Sequence, residues 1–179
     1  AAADTTVGLM ILNESDLEVS EGDSVSGFPW GSATVPIVPP WENEAIFAQA
    51  GSSQSWRSKA ALDGNGNVYV VYDACCFSDF DIYMRKSSDG GYSWGSEQAI
   101  VTNNANDYYP DVATGPAGEV LVSWYNTRHG NNNREIYFKK STDFGATWGS
   151  EVRVTNQTRN GRVPRITYAN GATHIVWFD

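Results

Sequence analysis

Ser87-Ser88-Asp89-Gly90-Gly91-Tyr92-Ser93-Trp94 returns further along the chain as Ser141-Thr142-Asp143-Phe144-Gly145-Ala146-Thr147-Trp148, and this recurrence decides the fold. Trp94 and Trp148 stand 54 residues apart. The flanks repeat as well. Trp94-Gly95-Ser96-Glu97 matches Trp148-Gly149-Ser150-Glu151, and Asp81-Ile82-Tyr83-Met84-Arg85-Lys86 matches Glu135-Ile136-Tyr137-Phe138-Lys139-Lys140. A third, weaker copy starts at Trp41-Glu42-Asn43-Glu44, without the octet in front of it. Self-similarity at a fixed period of this size marks a stacked-repeat architecture.

After each Trp the same phrase follows. A short apolar run leads to a polar loop, then to a segment such as Tyr109-Pro110-Asp111-Val112-Ala113 or Val163-Pro164-Arg165-Ile166-Thr167. A glycine turn comes next (Asp63-Gly64-Asn65-Gly66, Gly115-Pro116-Ala117-Gly118, Asn170-Gly171). A strongly apolar strand closes the phrase (Val68–Tyr72, Val120–Trp124, Thr173–Trp177). Each unit reads as four short strands between turn signals. In the first complete unit these are strand A at Lys59–Leu62, B at Val68–Tyr72, C at Asp81–Lys86 and D at Gln98–Val101. Strand B is apolar on both faces and is expected to be covered on both. Strand C alternates, as a more peripheral strand does. A four-stranded unit cannot bury both faces alone, so neighbours must stack on it. Radial stacking of such sheets is a β-propeller of roughly 4–8 blades. The expected fold is all-β: propeller blades of four antiparallel strands, about three in this chain.

The octet has its own logic. It joins strands C and D, where Asp89 and Asp143 can accept bonds from turn N–H groups. Gly91 and Gly145 can take positive φ. The hydroxyls of Ser87 and Ser141 can tie the turn down, and Trp94 and Trp148 supply apolar surface for packing. On these residues the chain resembles the Asp-box, or bacterial neuraminidase repeat, of the sialidase superfamily, over about residues 41–179. The resemblance implies that the boxes are structural and lie away from the ligand site. It therefore gives Ser87, Asp89, Gly91, Trp94, Ser141, Asp143, Gly145 and Trp148 structural roles. The box is shared by sialidases, other glycosidases and lectin-like modules, so it names a fold and not an activity.

Sialidases of this superfamily hold the substrate carboxylate with three arginines, a geometry that bidentate guanidinium suits. They add a Tyr nucleophile with a Glu, and an Asp acid/base. The family's first arginine sits in an Arg-Ile-Pro motif near the start of the propeller. The nearest match here, Arg162-Val163-Pro164, comes near the end, and the preceding unit has Tyr108-Tyr109-Pro110 in its place. Pro at that point belongs to the repeat. Arg165 is a second candidate on the same strand. No convincing catalytic set emerges, and the catalytic residues stay unassigned.

Ligand groups in a propeller tend to come from the D–A and B–C loops of one face. Those loops are expected to carry Trp56 and Arg57; Asp107, Tyr108 and Tyr109; Arg128 and His129; Asp79; Arg159 and Arg162. Of these, Trp56, Arg57, Tyr108, Tyr109, Arg128 and Arg162 are the candidate ligand residues, since aromatic and Arg side chains together suit sugars or acidic groups. The competing reading is that the aromatics pad the blade interfaces. His129 reads as a turn residue and His174 as a packed core histidine. Asp63-Gly64-Asn65-Gly66-Asn67 hints at a calcium loop but lacks the twelve-residue pattern ending in Glu. A tight A–B turn explains it better. No metal and no cofactor is expected.

Composition narrows the class. Twelve Lys+Arg against 21 Asp+Glu give a net charge of −9, and the basic residues are scattered. That speaks against a nucleic-acid binder. Seven Trp, nine Tyr and seven Phe speak against disorder. No apolar run approaches the roughly 20 residues of a membrane helix. The adjacent Cys75 and Cys76 read as two free thiols or a strained vicinal disulfide, without zinc-site spacing. Ala1-Ala2-Ala3-Asp4 looks like the remainder of a cleaved small-residue site, which fits a secreted, extracellular chain. Asn13-Glu14-Ser15 and Asn156-Gln157-Thr158 would matter in a glycosylating host.

Residues 1–40 lie outside the repeat and form an N-terminal extended segment, either outer strands of an incomplete first blade or a remnant of a preceding module; 41–179 are the repeats. At this period the 179 residues hold just over three units. Two copies could close a six-bladed homodimeric ring, or the chain is part of a longer polypeptide. The function expected is a secreted module binding carbohydrate or a protein surface. The alternatives are a sialidase-like glycoside hydrolase, of which this chain carries part, and a structural or assembly module.

Overall fold

A computed structural model describes residues 8–9, 45–46, 54–75, 79–156 and 160–179, the backbone alone for 8–9, 45–46 and 54–56. The chain divides into a unit spanning 8–45 and a larger unit that contains 46–179. Two short strands, β1 (Gly8–Leu9) and β2 (Ala45–Ile46), pair with each other. The copy at Trp41 and the remainder of residues 1–40 lie outside the described residues, as do Cys76, Arg159 and the glycosylation triplets at Asn13 and, in part, Asn156.

The larger unit is built of antiparallel meanders. The first sheet holds β3 (Gln54–Leu62), β4 (Val68–Cys75), β5 (Phe80–Ser87) and β6 (Gln98–Val101), side by side in chain order. The second repeats it with β7 (Asp107–Thr114), β8 (Val120–Asn126), β9 (Glu135–Ser141) and β10 (Val152–Arg153). A third sheet pairs β11 (Arg162–Ala169) with β12 (Ala172–Phe178). No helix occurs among the described residues.

The sheets stack face to face, with β7 packed between β3 and β11. Their cores follow from the period-2 alternation of side chains. Tyr69, Val71, Ile82 and Met84 of the first sheet meet Val112, Val120, Val122, Trp124 and Tyr137 of the second. The opposite side of the second sheet presents Ala113 and Leu121 to Ile166 of the third. Both β4 and β8 are therefore covered on both faces, as their apolar sequences require. On β12 the outcome differs. His174 is exposed, so its expected place in a core is corrected, and Val176 and Phe178 are 65% and 72% exposed. These residues occupy the face that on β8 is covered by the following sheet, and among the described residues nothing lies over it on β12.

The two octets close the C–D hairpins in the same way. Ser87 Oγ accepts the Gly91 N–H at 2.8 Å and donates to Asp89 at 2.6 Å; Ser141 does the same with Gly145 at 2.9 Å and Asp143 at 2.7 Å. The Asp carboxylates take the N–H and the hydroxyl of Ser93 and Thr147. These bonds hold both carboxyls below the usual carboxylate range, the Ser87 and Ser93 hydroxyls acting on Asp89 and Thr147 most strongly on Asp143, which falls to about 2. Gly91 and Gly145 have φ of 101° and 81°. The second octet also reaches across to the first sheet. Trp148 packs on the shared core, Lys86 Nζ donates to Phe144 O at 3.2 Å, and a Cβ on Gly145 would meet Met84 Cε at 2.9 Å. The hairpin thus seats one sheet on the previous one as well as closing its own turn.

Candidate functional site

Strand direction sorts the side chains into two ends. The starts of β3, β5, β7 and β9 and the ends of β4 and β8 share one end; the A–B turns and the octets share the other. The first end carries the aromatic and cationic residues.

Each A strand begins with a register shift against its B strand, between Ser55 and Arg57, Tyr108 and Asp111, and Arg162 and Arg165. Such bulges turn a strand and re-aim its side chains. Tyr109 and Val163, at equivalent points, adopt φ of 54° and 49°. Trp56, Arg57, Asp107, Tyr108, Tyr109 and Arg162 therefore lie within strands and not, as expected, in the D–A loops. The bulge breaks the alternation that would have announced those residues as strand.

The bulge of β7 is fixed from the neighbouring sheet. The fully buried Asp73 carboxylate accepts the Arg57 N–H at 3.0 Å, Arg57 Nη1 at 3.2 Å and the Tyr109 N–H at 3.1 Å. The Arg57 guanidinium then sits over the Tyr109 ring, its Cζ 3.7 Å from the centroid. Tyr109 stacks on Tyr125 at 5.5 Å; Tyr108, opposite Tyr125 in register, packs against it at 5.5 Å and against Phe80 at 5.0 Å. Burial raises the hydroxyl pKa of Tyr108 and Tyr125, so both rings stay neutral.

Arg134, at the start of β9, completes the row, 5.4 Å from the Tyr125 centroid. Its Nε is buried without a hydrogen bond, and its guanidinium meets no carboxylate among the described residues. Three other arginines of this end are matched, Arg57 by Asp73, Arg128 by both oxygens of Glu151 at 2.6 and 3.2 Å, and Arg153 by Glu135 at 2.8 Å; the exposed Arg162 and Arg165 of β11 have no carboxylate partner among the described residues. The row Arg57–Tyr109–Tyr125–Arg134, half-buried except for the buried Tyr125 and flanked by Tyr108, is the candidate site.

Of the expected ligand residues, the structure brings together Arg57, Tyr108 and Tyr109. Arg128 is committed to Glu151 and Asn126, over the Tyr137 ring, with His129 Nε2 2.9 Å from the Tyr137 hydroxyl in the adjoining turn. Arg162 and Arg165 are exposed on β11, apart from this row. The side chain of Trp56 lies outside the described residues. Sequence reading missed Tyr125, Arg134, Phe80 and Asp73. Tyr125 and Arg134 flank the B–C loop already marked as ligand-facing, so their position was the available signal.

A cleft of about 290 Å³ lies at the opposite, octet end, lined by Met84, Lys86, Glu97, Gln98 and Phe144. It is separate from the aromatic row. At the A–B turn, Asp63 accepts bonds from the Asn65 and Asn67 backbones, the Asn67 amide and the Tyr69 hydroxyl, which saturates both its oxygens. No group of three or more acidic, His or Cys side chains able to hold a metal is found among the described residues. Cys75 is a half-buried free thiol.

Comparison with solved structures gives a consistent answer for the fold. A Hadza microbial sialidase, Hz136, superposes with a TM-score of 0.53 at 15% identity, over 63% of this chain and 30% of its own. An α-L-arabinanase of Penicillium chrysogenum, complexed with arabinobiose, superposes with a TM-score of 0.53 at 14% identity, over 75% of this chain and 43% of its own. The fold is that of part of a β-propeller. This chain spans less than half the length of either neighbour. No family model and no curated protein matches the sequence.

Proposed function

We propose that this propeller binds carbohydrate carrying an acidic group, at the row Arg57–Tyr109–Tyr125–Arg134. The observation that carries the reading is Arg134. A half-buried guanidinium with an unbonded, buried Nε–H and no carboxylate partner among the described residues asks for an anion. The half-buried Tyr108 and Tyr109 beside it supply aromatic surface against which a sugar ring can pack. A glycan array tests this: retention of acidic glycans that is lost in Tyr109→Ala and Arg134→Ala supports it, and no retention of any acidic glycan overturns it.

A hydrolase is the second reading, favoured by the two structural neighbours, a sialidase and an arabinanase. Asp107 is a buried carboxyl at this end whose pKa burial pushes up to about 7, the range of a general acid. Release of a chromophore from aryl sialosides or aryl arabinosides is its test. Absence of release across such a panel overturns it without touching the binding reading.

An extracellular location and ring closure by a second copy accompany the proposal. The exposed Val176 and Phe178 are the surface that a second copy, or a following sheet of a longer polypeptide, would cover. Closure predicts a particle of twice the 19.6 kDa chain mass, and a strictly single-chain particle overturns it.

A further inference from the structure

Tyr109 and Val163 break the same rule at the same point of the repeat. Each directly precedes a proline, Pro110 and Pro164, which drives a residue toward extended backbone. Each instead has positive φ, 54° and 49°, where a branched or bulky side chain is strained. Such backbone persists only where its surroundings hold it. The two are held differently. Asp73, the sixth residue of β4, accepts the Tyr109 N–H at 3.1 Å from the neighbouring sheet. The sixth residue of β8 is Tyr125, and the Val163 N–H meets no side-chain acceptor among the described residues. The bulge of β11 forms without a carboxylate.

A staple between sheets does not need this position either. Asp111 Oδ2 accepts the Ile166 N–H at 2.8 Å, in the regular part of β11 past its bulge. Of the two carboxylates, only Asp73 acts on a bulge. Its other bonds go to the residue that covers Tyr109: Oδ1 accepts the Arg57 N–H at 3.0 Å and Oδ2 accepts Arg57 Nη1 at 3.2 Å. One fully buried side chain thus holds the backbone of Tyr109 and the guanidinium over its ring. All three groups are donors. A carboxylate serves them all, whereas an amide of the same shape would turn its NH2 toward at least one. Asp73 also answers the charge of Arg57, which leaves a ligand's anion to Arg134.

We propose that Asp73 is the positioning residue of the ligand site: from the neighbouring sheet it locks the Tyr109 backbone and the Arg57 guanidinium, so that the Tyr109 ring is set before a ligand arrives. The inference rests on the site proposed above and adds how that site is pre-organised. Held between Arg57 and Tyr125, the ring presents its exposed part in one orientation. A surface fixed in advance loses less freedom on binding, so its effect appears as affinity. Arg57 then acts through Tyr109 and not on the ligand's charge.

NMR of the 13C,15N-labelled full chain tests the positioning without any ligand. Protons held over an aromatic face resonate upfield. The Arg57 Cδ protons, identified by their loss in Arg57→Lys, should lie upfield of free arginine in the wild type. In Asp73→Asn they should return toward it, while the Ile166 methyl signals of the neighbouring core stay in place. An upfield shift that survives in Asp73→Asn overturns the proposal. Should that variant fail to fold, hydrogen exchange in the wild type decides: a Tyr109 N–H slower than the Val163 N–H supports the proposal, and one equal or faster overturns it. Calorimetry with sialyllactose reads the effect on the site. Asp73→Asn should weaken binding about tenfold in the chain with Tyr109 and change nothing in a Tyr109→Ala background. Wild-type affinity in Asp73→Asn, or the same loss in both backgrounds, overturns the proposal. If the wild type binds no sialyllactose, the glycan reading fails alone, and the Arg57 shift still decides whether Asp73 sets Tyr109.

Discussion

Gly66 and Gly145 share a φ of 81°, and the contrast between them measures how the octet seats one sheet on the next. A Cβ at Gly66 meets nothing within 4 Å; at Gly145 it meets Met84 Cε at 2.9 Å. Alanine in the left-handed region costs about 1–2 kcal/mol wherever it stands. Overpacking a well-filled contact costs about 1–3 kcal/mol more, and the lower end applies because Met84 can swing its methyl aside. Gly66→Ala is therefore expected to lose about 1–2 kcal/mol and Gly145→Ala about 2–3 kcal/mol. Urea unfolding at 25 °C reads both losses as shifts in midpoint with the slope unchanged. In the thermal melt the extra loss at Gly145 corresponds to a further shift of about 2–4 °C. In a Met84→Ala background the Gly145→Ala penalty should fall to that of Gly66→Ala, since the obstructing methyl is gone. Equal losses at the two glycines, or a penalty at Gly145 indifferent to Met84, would refute the claim that the octet packs on the neighbouring sheet.

Other consequences follow from the buried and bonded side chains. Removing the Ser141 hydroxyl leaves the buried Gly145 N–H without its acceptor, so Ser141→Ala should cost about 1–3 kcal/mol in urea melts. The folded pKa of Asp107 lies above its unfolded value, at about 7 against 3.8. The folded chain then holds the proton that the unfolded chain has lost, and stability declines as pH rises from about 4 through 7, by up to about 4 kcal/mol. Melting temperatures across that range should show the decline, and Asp107→Asn should flatten it. Asp143 has the opposite sign. Its folded pKa is depressed to about 2, so its contribution is present above 3.8 and is lost as pH falls toward 2; Asp143→Asn should make the acid limb of the pH–stability curve shallower.

How much of this was legible in sequence depends on the physics of each part. The octets were legible because their geometry uses side chains with few alternatives: a hydroxyl on the turn N–H, a carboxylate on the next, a glycine at positive φ. Strands B and C were legible because β4 and β8 are covered on both faces while β5 alternates. The starts of the A strands were not, since the bulges at Trp56, Tyr109 and Val163 interrupt the period on which strand reading relies. His174 misled for another reason: its pattern is that of a covered strand, and cover is supplied by a neighbouring sheet, which a local pattern does not contain. Half of the candidate row was visible as aromatic and Arg residues near predicted loops. Arg134 was not, because its distinguishing feature is an absent partner. Composition shows which charges exist; only the packing shows that Arg57, Arg128 and Arg153 are matched while Arg134 is not.

Calorimetric titration of sialyllactose and of lactose into the full chain, with Tyr109→Ala and Arg134→Ala alongside, tests the proposed site most directly. The account predicts that the acidic sugar binds at least about tenfold more tightly than the neutral one, a difference of about 1.4 kcal/mol, and that each variant loses that margin while its melting curve stays cooperative. Equal affinity for the two sugars, or wild-type affinity in both variants, would contradict it.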